Sequence, residues 1–300
     1  MDFKLGISVR SLASDASDID IRLSEIVEYQ PDSIELMCFA QDLIRNGDII
    51  IARAERISRA LVEKEISATM HGPISLNLMD HISHLDAHIE VGKSYIKLAS
   101  MLGVRAMVIH TGYCSDCSSE DLDAKYANQR DGLRRLADYA GSLDVTIYLE
   151  NIFPFFQGAH TALPGKLAEE LTVINHPYLL GCFDVSHAYI ACTAYEVNFL
   201  GEINQFATMS PHWHVHDSFG RPETSLKPYG RSEGLAYGIG DLHLAVGDGN
   251  LPWGDVLSVA PPAIGTTFNI ELNPAYWPDM GRCVERTRDL MVNAVRSKAA

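Results

Sequence analysis

The feature that most constrains this chain is an alternation. Apolar, β-rich runs recur at 4–9, 32–37, 67–71, 106–110, 146–150, 179–184, 213–216 and 267–272, with segments of helical spacing between them. In the segments 88–103 and 127–143 the apolar residues recur at helical intervals, and each ends near a glycine, as helices often do. Regular βα alternation implies a parallel sheet, because the chain must cross back before each new strand, and eight such units close into a barrel. The fold expected is therefore α/β, a (β/α)8 TIM barrel forming a single domain over 1–300. A chain of 300 residues lies within the size that such barrels reach with one continuous core.

One gap breaks the rhythm. Residues 217–266 separate the seventh run from the eighth, more than one helix and two short connections require. The stretch 218–241 is rich in Gly, Pro and Ser without a helical period, so the spacing predicts a long catalytic-face loop over about 218–249.

Composition removes several classes of function. With 47% hydrophobic and 21% charged residues the chain reads as globular. No apolar run approaches the ~20 residues that span a bilayer. The first residues lack a basic segment followed by an apolar one, so a cytoplasmic protein with no membrane partner is expected. Six cysteines are too sparse for a disulfide scaffold and are expected reduced; Cys114 and Cys117 form a lone C-x-x-C with no second pair to complete a four-cysteine zinc site. A net charge of −15 opposes binding to nucleic-acid phosphates and weighs against such a partner.

Chemistry gathers at the strand ends. His71, His110, Glu150 and Asp184 close the third to sixth runs, and His214 and Glu271 lie in the seventh and eighth. A barrel places these ends in one ring, so residues distant in sequence converge. Taken singly, each reads as a core histidine or a salt-bridge partner. Six on six strands demand a common partner, since burying unpaired charge costs several kcal/mol. A metal ion is the simplest, and mixed His/Asp/Glu ligation suits Zn, Mn, Co or Fe. Alternation puts His216 on the same side as His214, where it either orients a ligand or touches substrate. Arg221, Lys227 and Arg231 in the long loop offer charges for a substrate phosphate or carboxylate, or are simply solvated. Trp253 is expected to pack the start of the final helix.

The motifs HGPISLNL (71–78), VIHTG (108–112), YLEN (148–151), CFDVSH (182–187), HVHDS (214–218), DLHLAVGDGNLPW (241–253) and NIEL (269–272) follow in that order. In them the chain resembles the xylose isomerase-like barrel superfamily, which includes sugar isomerases, ketose epimerases, inosose-type dehydratases and endonuclease IV. The resemblance runs over nearly the whole chain. It implies a four-ligand metal site at Glu150, Asp184, His214 and Glu271. Carried over from endonuclease IV, it also implies nine ligands for three zinc ions: His71, His110, Glu150, Asp184, His187, His214, Asp241, His243 and Glu271. The departures lie where DNA would sit. Gly72, Pro73, Ile74 and Ser75 stand where the nuclease inserts a tyrosine and a leucine, and the loop 38–48 offers Arg45 but no basic cluster.

Two enzymatic readings follow. The first is a metal-dependent isomerase or epimerase of a sugar, sugar phosphate or related polyol, working by proton transfer through a metal-stabilised enediolate, with Glu150 and Glu271 as catalytic acid and base. The second is a trinuclear zinc phosphoesterase, less suited to DNA. A metal-holding protein without catalysis is a third. The cofactor expected is divalent metal, Zn or Mn, in one to three ions. The partner expected is a small-molecule substrate, with a homo-oligomer allowed for, although no interface is legible.

Overall fold

Eight strands line up in sequence order: β1 (Lys4–Val9), β2 (Ser33–Met37), β3 (Ser67–His71), β4 (Ala106–His110), β5 (Thr146–Glu150), β6 (Leu179–Asp184), β7 (His212–Val215) and β8 (Thr267–Ile270). In this computed structural model, which describes residues 2–115, 118–156, 158–223, 226 and 228–299, each strand pairs in parallel with the next, and β8 returns to β1 to close a barrel. Helices α1 (Ile19–Val27), α2 (Ile51–Glu63), α3 (Leu85–Met101), α4 (Ser119–Ser142) and α5 (Pro164–Ile174) follow the first five strands in turn. After β6 come α6 (Val185–Ala194) and α7 (Phe199–Thr208). Between β7 and β8 lie α8 (Arg231–Tyr237) and α9 (Trp253–Val259), and α10 (Met280–Ala299) ends the barrel. Among the described residues no helix is long and apolar enough to cross a membrane.

The period of two along each strand separates two interiors. Leu5, Ile7 and Val9 of β1, Ile34 and Leu36 of β2, Ile147 and Leu149 of β5, and Phe268 and Ile270 of β8 are all buried apolar residues. Each contributes about 1.5–3 kcal/mol by leaving water. The alternate positions carry polar groups that meet inside the barrel, such as Ser8, Glu35, Thr69, His212, His214 and Asn269. Gly6 makes room among them, since a Cβ there would sit 2.7 Å from Asn269 Oδ1. The barrel is thus apolar outside and polar at its heart.

Several expectations need correction in detail. Strand β7 begins at His212 and ends at Val215, and β8 ends at Ile270, so His216 and Glu271 lie just past the strands. Helix α4 starts well before residue 127, where Ser118 caps it by accepting the Asp121 N–H in a capping box. The loop 38–48 carries part of a small hairpin, Ile44–Arg45 against Asp48–Ile49, turning on Asn46 and Gly47 at φ 48° and 86°. A second small sheet pairs Tyr113–Ser115 with Ala159–Thr161. The expected reduced state also fails for Cys114, which is disulfide-bonded; Cys117 lies outside the described residues.

The long segment between β7 and β8 is not the plain loop expected, for it holds α8. That helix is seven residues long, buries only Gly234 and ends on Gly238 at φ 64°, so it has no apolar stripe to mark it in sequence. Asp217 organises the rest. Its carboxylate accepts from the backbone N–H groups of Gly247 (2.7 Å) and Leu251 (3.2 Å), and from Trp253 Nε1 (3.1 Å). Its backbone also bridges to Leu244 in both directions. Trp253 is thereby packed at the start of α9, before β8, and not at the start of the final helix as expected. Gly249 closes against this anchor, where a Cβ would lie 2.1 Å from the Ser218 carbonyl oxygen.

Replacing Asp217 by alanine leaves several buried donors unpaired and is expected to destabilise the metal-free protein by about 2–5 kcal/mol. Urea unfolding followed by circular dichroism measures it. A loss below about 1 kcal/mol would mean that the segment is anchored by something other than this carboxylate.

Candidate metal centre

The ends of β3 to β8 and the segment after β7 bring ten expected residues together: His71, His110, Glu150, Asp184, His187, His214, His216, Asp241, His243 and Glu271. Glu150 lies at the centre. Its Oε2 is 3.2 Å from His71 Nε2 and 3.4 Å from His110 Nε2, while its Oε1 is 3.1 Å from His214 Nδ1 and 3.2 Å from His187 Nδ1. One carboxylate thus faces four imidazoles from three strands and a helix.

Local structure explains how each side chain is aimed. Asp184 is the N-cap of α6, its Oδ1 accepting the His187 backbone N–H at 2.6 Å, so D-x-x-H fixes both residues in one turn. Its Oδ2 is left to His216 Nε2 at 2.9 Å and His214 Nδ1 at 3.8 Å. Asp241 Oδ2 meets His243 Nε2 at 2.6 Å and His187 Nε2 at 3.2 Å. His216 and His243 stack with ring centroids 4.0 Å apart. His243 holds a left-handed backbone, φ 48°, uncommon outside glycine.

Three of the histidines have one ring nitrogen tied to a backbone carbonyl: His71 Nδ1 to Gly72 O (3.1 Å), His187 Nδ1 to Asn151 O (3.1 Å) and His243 Nδ1 to Glu271 O (2.8 Å). A carbonyl only accepts, so each Nδ1 carries the proton and donates. Nε2 is then the nitrogen left for a metal once any proton on it is released, and in all three it points at a carboxylate of the cluster. This is how metal-ligating histidines are held.

The donor set fits divalent metal. Ligand atoms of His71, His110 and Glu150 lie within 4.8 Å of one another, as do those of Glu150, Asp184 and His187, and those of His187, His216, Asp241 and His243. Glu150 and His187 each belong to two of these groups. Two buried atoms, Asp241 Oδ1 and His216 Nδ1, have no hydrogen-bond partner and lie 3.7 Å apart. The nitrogen and carboxylate donors suit Zn or Mn.

Charge is balanced internally in the metal-free centre. Burial alone would raise the Glu150 carboxyl, but His214 and His110 beside it, with bonds from His187 and His214, hold it well below the ordinary range. Burial would likewise lower His243, yet Asp241 brings it up to about 9. His110 goes the other way, pushed down to about 4 by burial that Glu150 only partly offsets.

Two residues of the centre escape a reading of the sequence. Glu35 on β2 and His212 on β7 are buried beneath it and in contact with each other at 2.9 Å. A glutamate within the run SIELM was the available signal. Conversely, the two described loop cations do not join the cluster. Arg221 donates to the Tyr237 carbonyl at 2.9 Å, capping α8, and Arg231 lies 4.7 Å over the Tyr276 ring. Lys227 lies outside the described residues.

Comparison with known proteins agrees with the fold and its motifs. The family model described as xylose isomerase-like TIM barrel matches residues 23–273. The chain belongs to that family. Among curated proteins none matches the sequence significantly. Among solved structures, a D-tagatose 3-epimerase-like protein superposes with a TM-score of 0.72 at 20% identity, covering 99% of this chain and 100% of its own. An L-ribulose 3-epimerase gives 0.69 at 14% identity, covering 99% and 96%. A Thermus thermophilus protein, TTHB071, soaked with ZnCl2, gives 0.61 at 18%, covering 96% and 99%. At such identities the likeness speaks for the fold alone.

For this member of the xylose isomerase-like family the histidine near 9 sets a sign. Below about pH 9, His243 is protonated in the metal-free protein and must lose that proton to ligate. Zinc binding is therefore expected to release protons and to weaken as pH falls from about 9 to 6.5. Calorimetric titration in buffers of different ionisation enthalpy measures the release. A zinc affinity flat over that window, with no buffer dependence, would rule the arrangement out.

Proposed function

We propose that this protein is a metal-dependent isomerase or epimerase acting on a sugar, a sugar phosphate or a related polyol. The observation that carries the reading is the surroundings of His214 Nδ1. Glu150 Oε1 stands 3.1 Å away, Glu271 Oε2 3.5 Å and Asp184 Oδ2 3.8 Å, so four ligands from β5, β6, β7 and the end of β8 surround one point. The sugar epimerases among proteins of the same fold support it. A divalent ion at that point supplies Lewis acidity, which acidifies the C–H between a carbonyl and an adjacent hydroxyl.

The remaining chemistry belongs to the two glutamates. Glu150 and Glu271 reach the same nitrogen from β5 and from the end of β8, and one can take the carbon-bound proton while the other returns it on the opposite face. Ser8 Oγ donates to Glu271 Oε1 at 3.5 Å and is itself held by Asn269 Nδ2 at 2.8 Å. These bonds keep the Glu271 carboxylate turned toward the centre.

A second reading, a zinc phosphoesterase with up to three ions, is favoured by one specific observation. Glu150 spans two groups of ligand atoms, and His187, Asp241 and His243 complete a third, more donors than a single-ion isomerase requires. Duplex DNA suits this surface poorly. Ile74, where an aromatic wedge would serve, is half exposed with only a short aliphatic side chain to offer, and the net charge is −15.

Metal analysis of protein purified without chelator separates the two: one ion per chain fits the isomerase, two or three the phosphoesterase. Incubation in D2O with D-tagatose, L-ribulose and D-psicose is expected to wash deuterium into at least one of them. Glu150→Gln and Glu271→Gln are each expected to slow that exchange by about 10²–10⁴-fold. A Glu150→Gln protein with near-normal turnover would sink the assignment. Zinc-loaded protein is also expected to leave a labelled abasic duplex intact at low salt; efficient incision, lost in Glu271→Gln, would promote the nuclease.

A further inference from the structure

Glu35 on β2, Cys182 on β6 and His212 on β7 are buried in the barrel beneath the metal centre, and no step above uses them. Cys182 and His212 each stand two residues before a member of the centre, Asp184 and His214, so strand alternation turns them into the same interior. Ligand atoms of Cys182, His212 and His214 lie within 4.8 Å of one another. Glu35 faces both imidazoles: Oε1 is 3.1 Å from His214 Nε2, and Oε2 is 2.9 Å from His212 Nε2. The Thr69 hydroxyl steadies the carboxylate by donating to Oε2 at 3.1 Å, and the Tyr148 ring stacks on His212 with centroids 5.7 Å apart.

These contacts are not hydrogen bonds. Among the described residues Glu35 Oε1, His212 Nε2 and His214 Nε2 have no hydrogen-bond partner, although all three are withdrawn from water. Burying polar atoms unpaired is costly. The nitrogen of His214 that is bonded to a carboxylate is Nδ1, 3.1 Å from Glu150 Oε1, and an ionised carboxylate only accepts. In the neutral ring the lone pair therefore lies on Nε2, toward Glu35. Two acceptors at 3.1 Å repel unless a cation lies between them. A proton on Nε2 fills that place poorly, because it would not point at Oε1. Ligands of one zinc ion show the observed relation: with bonds of about 2.0–2.2 Å they lie roughly 3 Å or more apart, each aimed at the ion and past its neighbour.

We propose that Glu35, Cys182, His212 and His214 form a second metal site, inside the barrel and below the centre already described, that takes zinc or another thiophilic divalent ion. One sulfur, two imidazole nitrogens and a carboxylate make the closed four-ligand shell of a structural zinc site, with no position open to substrate. An ion there ties β2 to β6 and β7 on the opposite side of the barrel. The inference does not rest on the isomerase reading, but it bears on it. A neutral His214 gives its lone pair either to an ion below through Nε2 or to one above through Nδ1, so the two ions compete for this ring. The donors His71, His110, His187, His216, Asp241 and His243 are outside that competition.

The test is cobalt titration of the metal-free protein, followed in the near ultraviolet, where a thiolate ligand gives a charge-transfer band that the sulfur-free centre above cannot. The band is expected in wild type and is expected to be lost in Cys182→Ser, which should hold one ion fewer per chain with its circular dichroism unchanged. The ion count of the upper centre is then read on that variant. Zinc-loaded wild-type crystals are expected to show an anomalous peak between Cys182 Sγ and Glu35, a measurement that stands even if the variant fails to fold. No thiolate band at saturating cobalt, a band that persists in folded Cys182→Ser, or only water at that place in the map would each overturn the inference. An ion found above and none below overturns it as well, and leaves the isomerase reading intact.

Discussion

The structure depends on the Glu150 carboxylate and the four imidazoles around it. A carboxylate fully withdrawn from water carries a desolvation cost of several kcal/mol, which only close opposite charge, hydrogen bonds or metal can offset. Here the offset comes from His71, His110, His187 and His214, contributed by β3, β4, α6 and β7. These groups meet only when the barrel is closed in register. Closure and site are therefore one requirement: an open sheet would leave a buried anion with half its partners. The apolar residues on the outer face of the strands supply the driving force for closure, and the polar inner face specifies how it must close.

Much of the site's precision is set by backbone. Carbonyls of Gly72, Asn151 and Glu271 fix the proton on three imidazoles, and Asp184 is held by its duty as a helix cap. The unusual conformation of His243 belongs to the same scheme, since it brings Nδ1 within 2.8 Å of the Glu271 carbonyl while Nε2 meets Asp241. That strain is sustained by the segment around it, which Asp217 ties to the end of β7 through bonds to Gly247, Leu251 and Trp253. A turn that looks remote from the chemistry thus carries two donor residues into place.

The barrel was legible in the sequence because both faces of its strands are buried, which concentrates β-branched and aliphatic residues into short runs that Gly and polar segments separate. The chemistry was legible because histidines and acids at the ends of apolar runs need a reason to be there. Glu35 and His212 were not, because each lies within a run or just before one, where a single polar residue looks like the edge of a strand. Only the register, which sets Glu35 across the barrel from His212 and His214, gives them meaning. Helix α8 was hidden by its shortness and by an exposed Leu235 that forms no stripe. The hairpin at 44–49 was hidden differently: Asn46-Gly47 is a strong turn signal, but two-residue strands carry no pattern to flank it. Arg221 and Arg231 meet the Tyr237 carbonyl and the Tyr276 ring, local partners that charge in a loop does not announce.

Three backbone carbonyls and the shared Glu150 carboxylate fix the donors within the protein itself. Glu150 and His187 each face two ligand groups, so occupancy of one group alters the charge felt by the next. An ion held by His71, His110 and Glu150 would draw density from the Glu150 carboxylate and make it a weaker base toward a carbon-bound proton. On the proposed reading, His71 and His110 would share with Glu150 the holding of any ion on that side, and Glu150 would serve most readily as a base without one. Those two are unlike, since Glu150 holds His71 raised against its burial while His110 is pushed down to about 4. Glu150 thus draws His71 toward its protonated form, while His110 keeps a ring lone pair near neutral pH.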